Sequence, residues 1–117
     1  MESIAKLFKA LGEETRLRIL KMLQIRPLCN CEVQDILGLA PSTISKHLGL
    51  LREAGLVEDR REGKWVFYQL SNHPMTPTGK VLLEHLIHHL ENHQQVLDDR
   101  EKVIGLSGQF NCSTKSP

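Results

Sequence analysis

At 117 residues, 40% of them apolar and 25% charged, the chain is long enough for one domain with a modest core, too short for two, and too apolar for a disordered tail. Fifteen Lys and Arg against fourteen Asp and Glu leave a formal charge of +1, so any case for nucleic acid has to rest on local arrangement and not on bulk charge. No apolar run approaches the roughly 20 residues that cross a bilayer, and the charge-punctuated N-terminus lacks the apolar stretch of a secretory signal, so we expect a cytoplasmic protein with no membrane partner.

In chain order, Ile4, Leu7, Phe8 and Leu11 recur at helical spacing ahead of Gly12 and predict a short amphipathic helix. A second follows in "EETRLRILKMLQI": Leu17, Ile19, Leu20, Leu23 and Ile25 form a broad buried face, Glu13 and Glu14 suit the positive helix start, and Pro27 ends the run. Two short helices come next across a tight turn. One covers about Cys31 to Leu37, with Asn30 as its cap and Gly38 closing it; the other runs from Pro41 to Ala54, with Gly55 as the stop. "VEDRREGKWVFYQL" is rich in β-branched and aromatic residues on both sides of Glu62-Gly63 and predicts a two-stranded hairpin with a charged tip. Thr76 and Pro77 then start a long amphipathic last helix, marked by Val81, Leu82, Leu83, Leu86, Ile87, Leu90 and Leu97 and reaching about residue 101. The Gly- and Ser-rich "GLSGQFNCSTKSP" reads as a mobile tail, which places the domain at 1–103 and the tail at 104–117.

On the helix that starts at Pro41, Ile44, Leu48 and Leu51 share one face, Ser42, Lys46, Gly49 and Glu53 project roughly opposite, and Thr43 and Ser45 sit on the shoulders. A polar first turn on a helix whose other face is packed is what base reading in the major groove requires. Ser42, Thr43, Ser45 and Lys46 are therefore candidate DNA contacts, and His47 is a packing residue or a phosphate contact. Arg60, Arg61 and Lys64 at the hairpin tip suit phosphates or a minor groove, with Glu62 diluting their charge. Taken singly, each is an ordinary solvated surface. Their order, helix, tight turn, polar-fronted helix and basic hairpin, makes a winged helix-turn-helix: a mainly α fold with a β-hairpin wing.

Three cysteines are an odd number, and reduced thiols in the cytoplasm serve metal binding or redox sensing sooner than a disulfide framework. Cys29 and Cys31 lie two apart, so in a regular helix they point about 200° away from each other and cannot share an ion. An irregular first turn removes that obstacle, and the positive helix terminus favours the thiolate that soft ions require. The competing reading makes Cys29 a small buried apolar residue and Cys31 an incidental exposed thiol.

Between Leu11 and Leu70, "LGEETRLRILKML", "STISKHLGLLREAGLV" and "REGKWVFYQL" resemble the ArsR/SmtB family of small bacterial metal-sensing repressors. The resemblance implies a homodimer through the first and last helices, here through Ile4, Leu7, Phe8, Leu83, Leu86 and Leu90. It also implies two recognition helices on an inverted repeat of operator DNA, and release of that DNA when an inducing metal binds. Within the family, "LCNCEVQDIL" is similar to the arsenic-responsive branch, whose paired thiolates bind As(III) or Sb(III). It departs from that pattern where a further cysteine often sits three residues on, for Gln34 stands there. A pyramidal three-sulfur site then needs another donor, either Cys112 from the tail or a small cellular thiol. As(III) or Sb(III) is preferred to Zn(II) or Cd(II), which usually recruit His or carboxylate as well. Gathering both thiolates is expected to cost helical order ahead of the recognition helix and so misplace it on the DNA.

His85, His88, His89 and His93 crowd the last helix, and the pairs His85/His89 and His89/His93 have the spacing of a shared metal site. Zinc sensors of the family add an upstream Asp-x-His, whereas "SNHPMTP" supplies only His73 at an unsuitable distance, so these histidines read as lining a partly solvated interface. Two rivals stand beside the arsenic reading: the same fold sensing Zn(II), Cd(II) or thiol oxidants, and a thiol enzyme. The enzyme reading is the weaker, because thiol oxidoreductases favour Cys-x-x-Cys beside a βαβ pattern and no cysteine here is paired with a base and an oxyanion site. The expectation is no enzyme.

Overall fold

The computed structural model describes residues 1–72 and 76–106. Within them the chain runs through α1 (Glu2–Leu11), α2 (Glu14–Leu23), β1 (Leu28–Cys29), α3 (Asn30–Leu37), α4 (Pro41–Glu53), β2 (Val57–Glu62), β3 (Trp65–Leu70), α5 (Pro77–Ile87) and α6 (Gln94–Gly105). Among the described residues no helix is long and apolar enough to cross a membrane. His73 and Cys112 lie outside the described residues.

The apolar stripes read from the sequence converge on one core. Ile19, Leu20, Met22 and Leu23 of α2, Val33 and Ile36 of α3, and Ile44, Leu48 and Leu51 of α4 are buried together with Leu7, Leu28, Leu56 and Val57. Gly38 turns the chain from α3 toward α4 with φ 68°, a left-handed conformation that costs a glycine nothing for want of a Cβ. Pro41 then opens α4, where a missing N–H leaves no helical bond unmade. The hairpin closes through Gly63 and Lys64, with Glu62 facing Trp65 and Gly63 at φ 63°. These elements make up the winged helix-turn-helix.

Three features differ from the sequence reading. First, the wing is a three-stranded sheet in the order β1-β3-β2: Leu28 pairs with Tyr68 and Cys29 with Phe67. Two residues are too few to show an alternation, so nothing local announces β1. Second, α3 starts one residue earlier. Cys29, not Asn30, is the N-cap, because the Glu32 carboxylate reaches back to the Cys29 N–H at 3.0 Å and so makes the capping box one position upstream.

Third, the long last helix is two helices. The buried Lys21 ammonium donates to the carbonyls of Leu86 at 3.3 Å and Ile87 at 3.0 Å, which satisfies the end of α5. Leu90 takes φ 62° in the break. The His93 ring then accepts the Gln95 N–H and caps α6, which runs on to Gly105, two positions past the domain end read from the sequence. Arg18 clamps Asp99 through two bonds, at 2.9 and 3.0 Å, and so fixes α6 against α2. The apolar periodicity that argues for one long helix cannot register these polar partners on α2.

Candidate functional site

The reading surface is built from α4 outward. Ile44, Leu48 and Leu51 bury one face, and Ser42, Thr43, Ser45 and Lys46 stand exposed on the other. His47 is turned inward. Arg16 Nη1 lies 3.0 Å from its Nδ1, while Arg16 Nε and Nη2 donate to the carbonyls of Ala10 at 2.9 Å and Lys9 at 3.0 Å. Arginine has donors only, so His47 Nδ1 is the acceptor and the ring carries its proton on Nε2. Of the two roles read for His47, the geometry supplies the packing one: it ties the recognition helix to the end of α1.

Glu13 stands 3.7 Å from the same nitrogen. Burial raises the pKa of its carboxyl, but bonds from the Thr15 and Arg16 N–H groups more than offset this and hold it below the ordinary carboxylate range. Arg16, which holds this side of the reading helix in place, is a residue that sequence reasoning missed. The one available signal was a cation beside the apolar stripe of α2.

Arg60, Arg61 and Lys64 are exposed on the wing. Arg60 is partly neutralised, as the neighbouring acid suggests: its Nε meets Glu62 at 2.6 Å, its Nη1 donates to Gln69 at 3.1 Å, and its guanidinium stands over the Phe67 ring. Arg61 projects to the opposite side of the sheet by the alternation of the strand.

Cys29 and Cys31 are brought together. Cys29 is 0% exposed at the end of β1, with the extended backbone of an N-cap (φ −81°, ψ 160°), and Cys31 lies in the first turn of α3, half-buried. Their Sγ atoms are 3.8 Å apart. That separation equals the ~3.8 Å between two sulfurs each held about 2.3 Å from a tetrahedral ion, and exceeds by about 0.5 Å the ~3.3 Å of a pyramidal ion with near-right angles. The irregular start that such pairing requires is the extended Cys29 itself. Because Cys29 precedes the helix, the 100° helical step does not separate it from Cys31, and the turn stays intact.

Glu32, 2% exposed, holds this geometry. One carboxylate oxygen takes the Cys29 N–H at 3.0 Å and the other takes Arg26 Nη2 at 3.0 Å. Among the described residues no group of three or more His, Cys, Asp and Glu side chains is placed to hold a metal. The C-terminal histidines do not converge: His85 and His89 stack at 4.1 Å, but His89 Nδ1 is engaged with the His85 carbonyl, and His93 caps a different helix.

Of the apolar residues read as an interface, Ile4, Phe8 and Leu90 are exposed, Leu86 is half-buried, and Leu7 and Leu83 are taken up in the chain's own core. Val81 and Ile104 are exposed as well.

Residues 13–59 match the family model described as bacterial regulatory protein, arsR family. The arsenical resistance operon repressor of Escherichia coli K12 is 45% identical over 80 residues, which are 68% of this chain and 68% of that protein. A cadmium resistance transcriptional regulatory protein CadC homolog of Staphylococcus aureus is 41% identical over 70 residues, 59% of this chain and 58% of its own length. Among solved structures, HlyU from Vibrio cholerae N16961 aligns with a TM-score of 0.63 at 38% identity, covering 79% of this chain and 95% of that one. The homodimeric winged helix-turn-helix DNA-binding domain Mb0332 from Mycobacterium bovis gives a TM-score of 0.62 at 29% identity, covering 79% of this chain and 85% of that one.

Proposed function

The chain belongs to the arsR family of bacterial regulatory proteins, DNA-binding winged-helix transcription repressors, and on that footing we propose that it holds operator DNA as a homodimer and releases it when As(III) or Sb(III) binds the thiolates of Cys29 and Cys31. The observation that carries this reading is the 3.8 Å separation of the two sulfurs at an intact helix start, next to the helix that presents Ser42, Thr43, Ser45 and Lys46. Soft thiolates select soft ions. A pair held ready by the fold also saves the ion the cost of ordering its own ligands.

The exposed Ile4, Phe8 and Leu90 support a symmetric dimer, and two-fold symmetry calls for an inverted repeat with half-sites one helical turn, or a multiple of it, apart. For a third sulfur we propose Cys112. Leu106, the last described residue, shares a groove of about 190 Å³ with Lys102 and with Asp35 and Ile36 of α3, so the chain leaves α6 alongside the helix that begins at the thiol pair. Cys112 is six positions further on, up to roughly 20 Å when extended, and Ile36 is only about 7.5 Å along the helix axis from Cys31.

Cd(II) is the second reading. The observed sulfur separation is wider than a pyramidal ion needs and lies nearer the spacing at a tetrahedral one, and one relative is named as a cadmium regulator. A mobility-shift titration with an inverted-repeat operator tests both. Arsenite should release the wild-type protein, and Cys29→Ser or Cys31→Ser should bind DNA as before yet ignore arsenite. Release that persists in both variants removes the thiol pair from the effector site. Release by Cd(II) and not by arsenite selects the second reading.

A further inference from the structure

On the wing sheet, the effector site and a DNA-facing arginine stand in one row. Directly opposed residues of antiparallel strands project to the same face, their Cβ atoms about 5 Å apart. Cys29 of β1 opposes Phe67 of β3, and the same Phe67 opposes Arg60 of β2. The Arg60 guanidinium carbon is 5.4 Å from the centre of the Phe67 ring, within the reach of a cation–π contact. Gln69, two positions along β3 on that face, takes a second bond from Arg60 at 3.1 Å. The arginine is therefore seated by β3, and β3 is hydrogen-bonded to the strand that ends in the buried cysteine.

We propose that Phe67 is a positioning residue that couples the thiol site to the wing, so that an ion on Cys29 and Cys31 shifts the Phe67 ring and unseats Arg60 from the DNA. The proposal rests on the effector reading given above. The physical case is one of room and rigidity. Cys31 is fixed by the first turn of α3, and Glu32 pins the Cys29 N–H to that same turn. Bringing the sulfurs about 0.5 Å closer for a pyramidal ion, or seating any ion against a sulfur that is 0% exposed, therefore presses on what surrounds Cys29. Its strand partner is β3. Packed elements answer such sub-ångström changes by switching arrangement and not by stretching. This route runs across the sheet and does not depend on any unwinding of the helix start.

The test is the release factor, the ratio of operator Kd with and without saturating arsenite at fixed salt, for wild type, Phe67→Leu, Phe67→Tyr and Arg60→Gln. Arsenite affinity is read separately from the thiolate-to-arsenic absorption of DNA-free protein. A wild-type factor in the usual range of about 5- to 150-fold should fall toward one in Phe67→Leu and Arg60→Gln, with arsenite affinity kept within about threefold. Phe67→Tyr should restore it. A loss of folding without a loss of coupling would leave Phe67→Tyr and the surface variant Arg60→Gln with the wild-type factor, and that result overturns the proposal. If arsenite does not release the wild-type protein, the effector reading falls instead. The same variants in a Cys112→Ser background are then loaded with dibromobimane, which bridges two thiols whatever the natural effector. Unchanged release factors in that arm overturn the coupling on its own.

Discussion

The start of α3 and the break between α5 and α6 are each rich in metal-ligating side chains, and the fold treats them in opposite ways. At the start of α3, a strand end and a helix cap hold two sulfurs 3.8 Å apart, and a buried carboxylate pinned by Arg26 fixes the backbone between them. In the break, His88 ends one helix and His93 starts another, so the i, i+4 spacing that would align His89 with His93 on a single helix is lost. Ligand spacing in a sequence becomes a site only where other residues commit the backbone. At α3 that commitment gathers two sulfurs, whereas at α5 and α6 the same kind of polar anchoring, from Arg18 and Lys21 of α2 and Gln24 at its C-cap, scatters the imidazoles.

The largest expected effect strikes the scattering side. Asp99 is buried and accepts from Arg18 twice and from Gln95 at 3.0 Å, and its hydrogen bonds raise the Arg18 pKa above the ordinary arginine value. Asp99→Ala strands a partly solvated guanidinium and should cost about 3 kcal/mol, the low end for a broken buried pair. Asp99→Asn, which keeps one acceptor, should lose about half of that. Urea midpoints at constant slope check both. Next is the gathering side. Glu32→Ala removes a capping acceptor and the partner of Arg26, for about 2 kcal/mol, and should weaken arsenite binding as Cys29 loosens. Glu32→Gln keeps an acceptor for the Cys29 N–H, so arsenite affinity should return further than stability does. If both variants bind arsenite like wild type, the cap does not hold the sulfurs.

This contrast explains what could be read from the chain alone. The apolar stripes of α1, α2 and α4, the Gly63 turn and the polar front of α4 are local patterns whose period or turn chemistry carries the answer, and each stands where the sequence places it. The thiol pair was recognisable as a pair, but its geometry was not. The one-residue shift of the cap depends on Glu32 and Arg26, and β1 exists only because β3 is there to pair with it. The break at Leu90 was invisible for the same reason: the helix pattern continues through it, while the anchors lie on α2. Arg16 and His47 meet across 31 positions, beyond any periodicity.

A smaller effect concerns acid. Glu91, in the break, accepts from Arg100 at 2.6 Å and from Gln24 and Lys21, and these bonds, Arg100 first, lower its pKa from the ordinary 4.5 to about 2. A folded-state pKa below the unfolded one means stability that is fully present above pH 4.5 and is lost as pH falls through about 2. The advantage of wild type over Glu91→Gln in urea should therefore shrink steadily across that window and stay flat above it. An advantage that grows on acidification would show that the Arg100 bond does not hold in solution.

The smallest effect sharpens the comparison most. Replacing His85, His88, His89 and His93 together by Gln removes every imidazole of the C-terminal region but leaves the thiol site, the α4 surface and the wing untouched. Gln at 93 can still offer an oxygen to the Gln95 N–H, so the α6 cap survives in kind. The stacked His85–His89 pair lies on the surface, and its one ring bond is to a carbonyl at the end of α5 that Lys21 already helps to satisfy from the neighbouring residues. We therefore expect operator affinity and the arsenite release factor to stay within about twofold of wild type, since a coupling needs a site that binds its ligand differently in the two states. Titration with Zn(II) supplies the opposing outcome. If wild type loses its operator to zinc and the four-fold variant does not, the histidines converge in the dimer as they do not within one chain, and the break between α5 and α6 is itself a regulatory site.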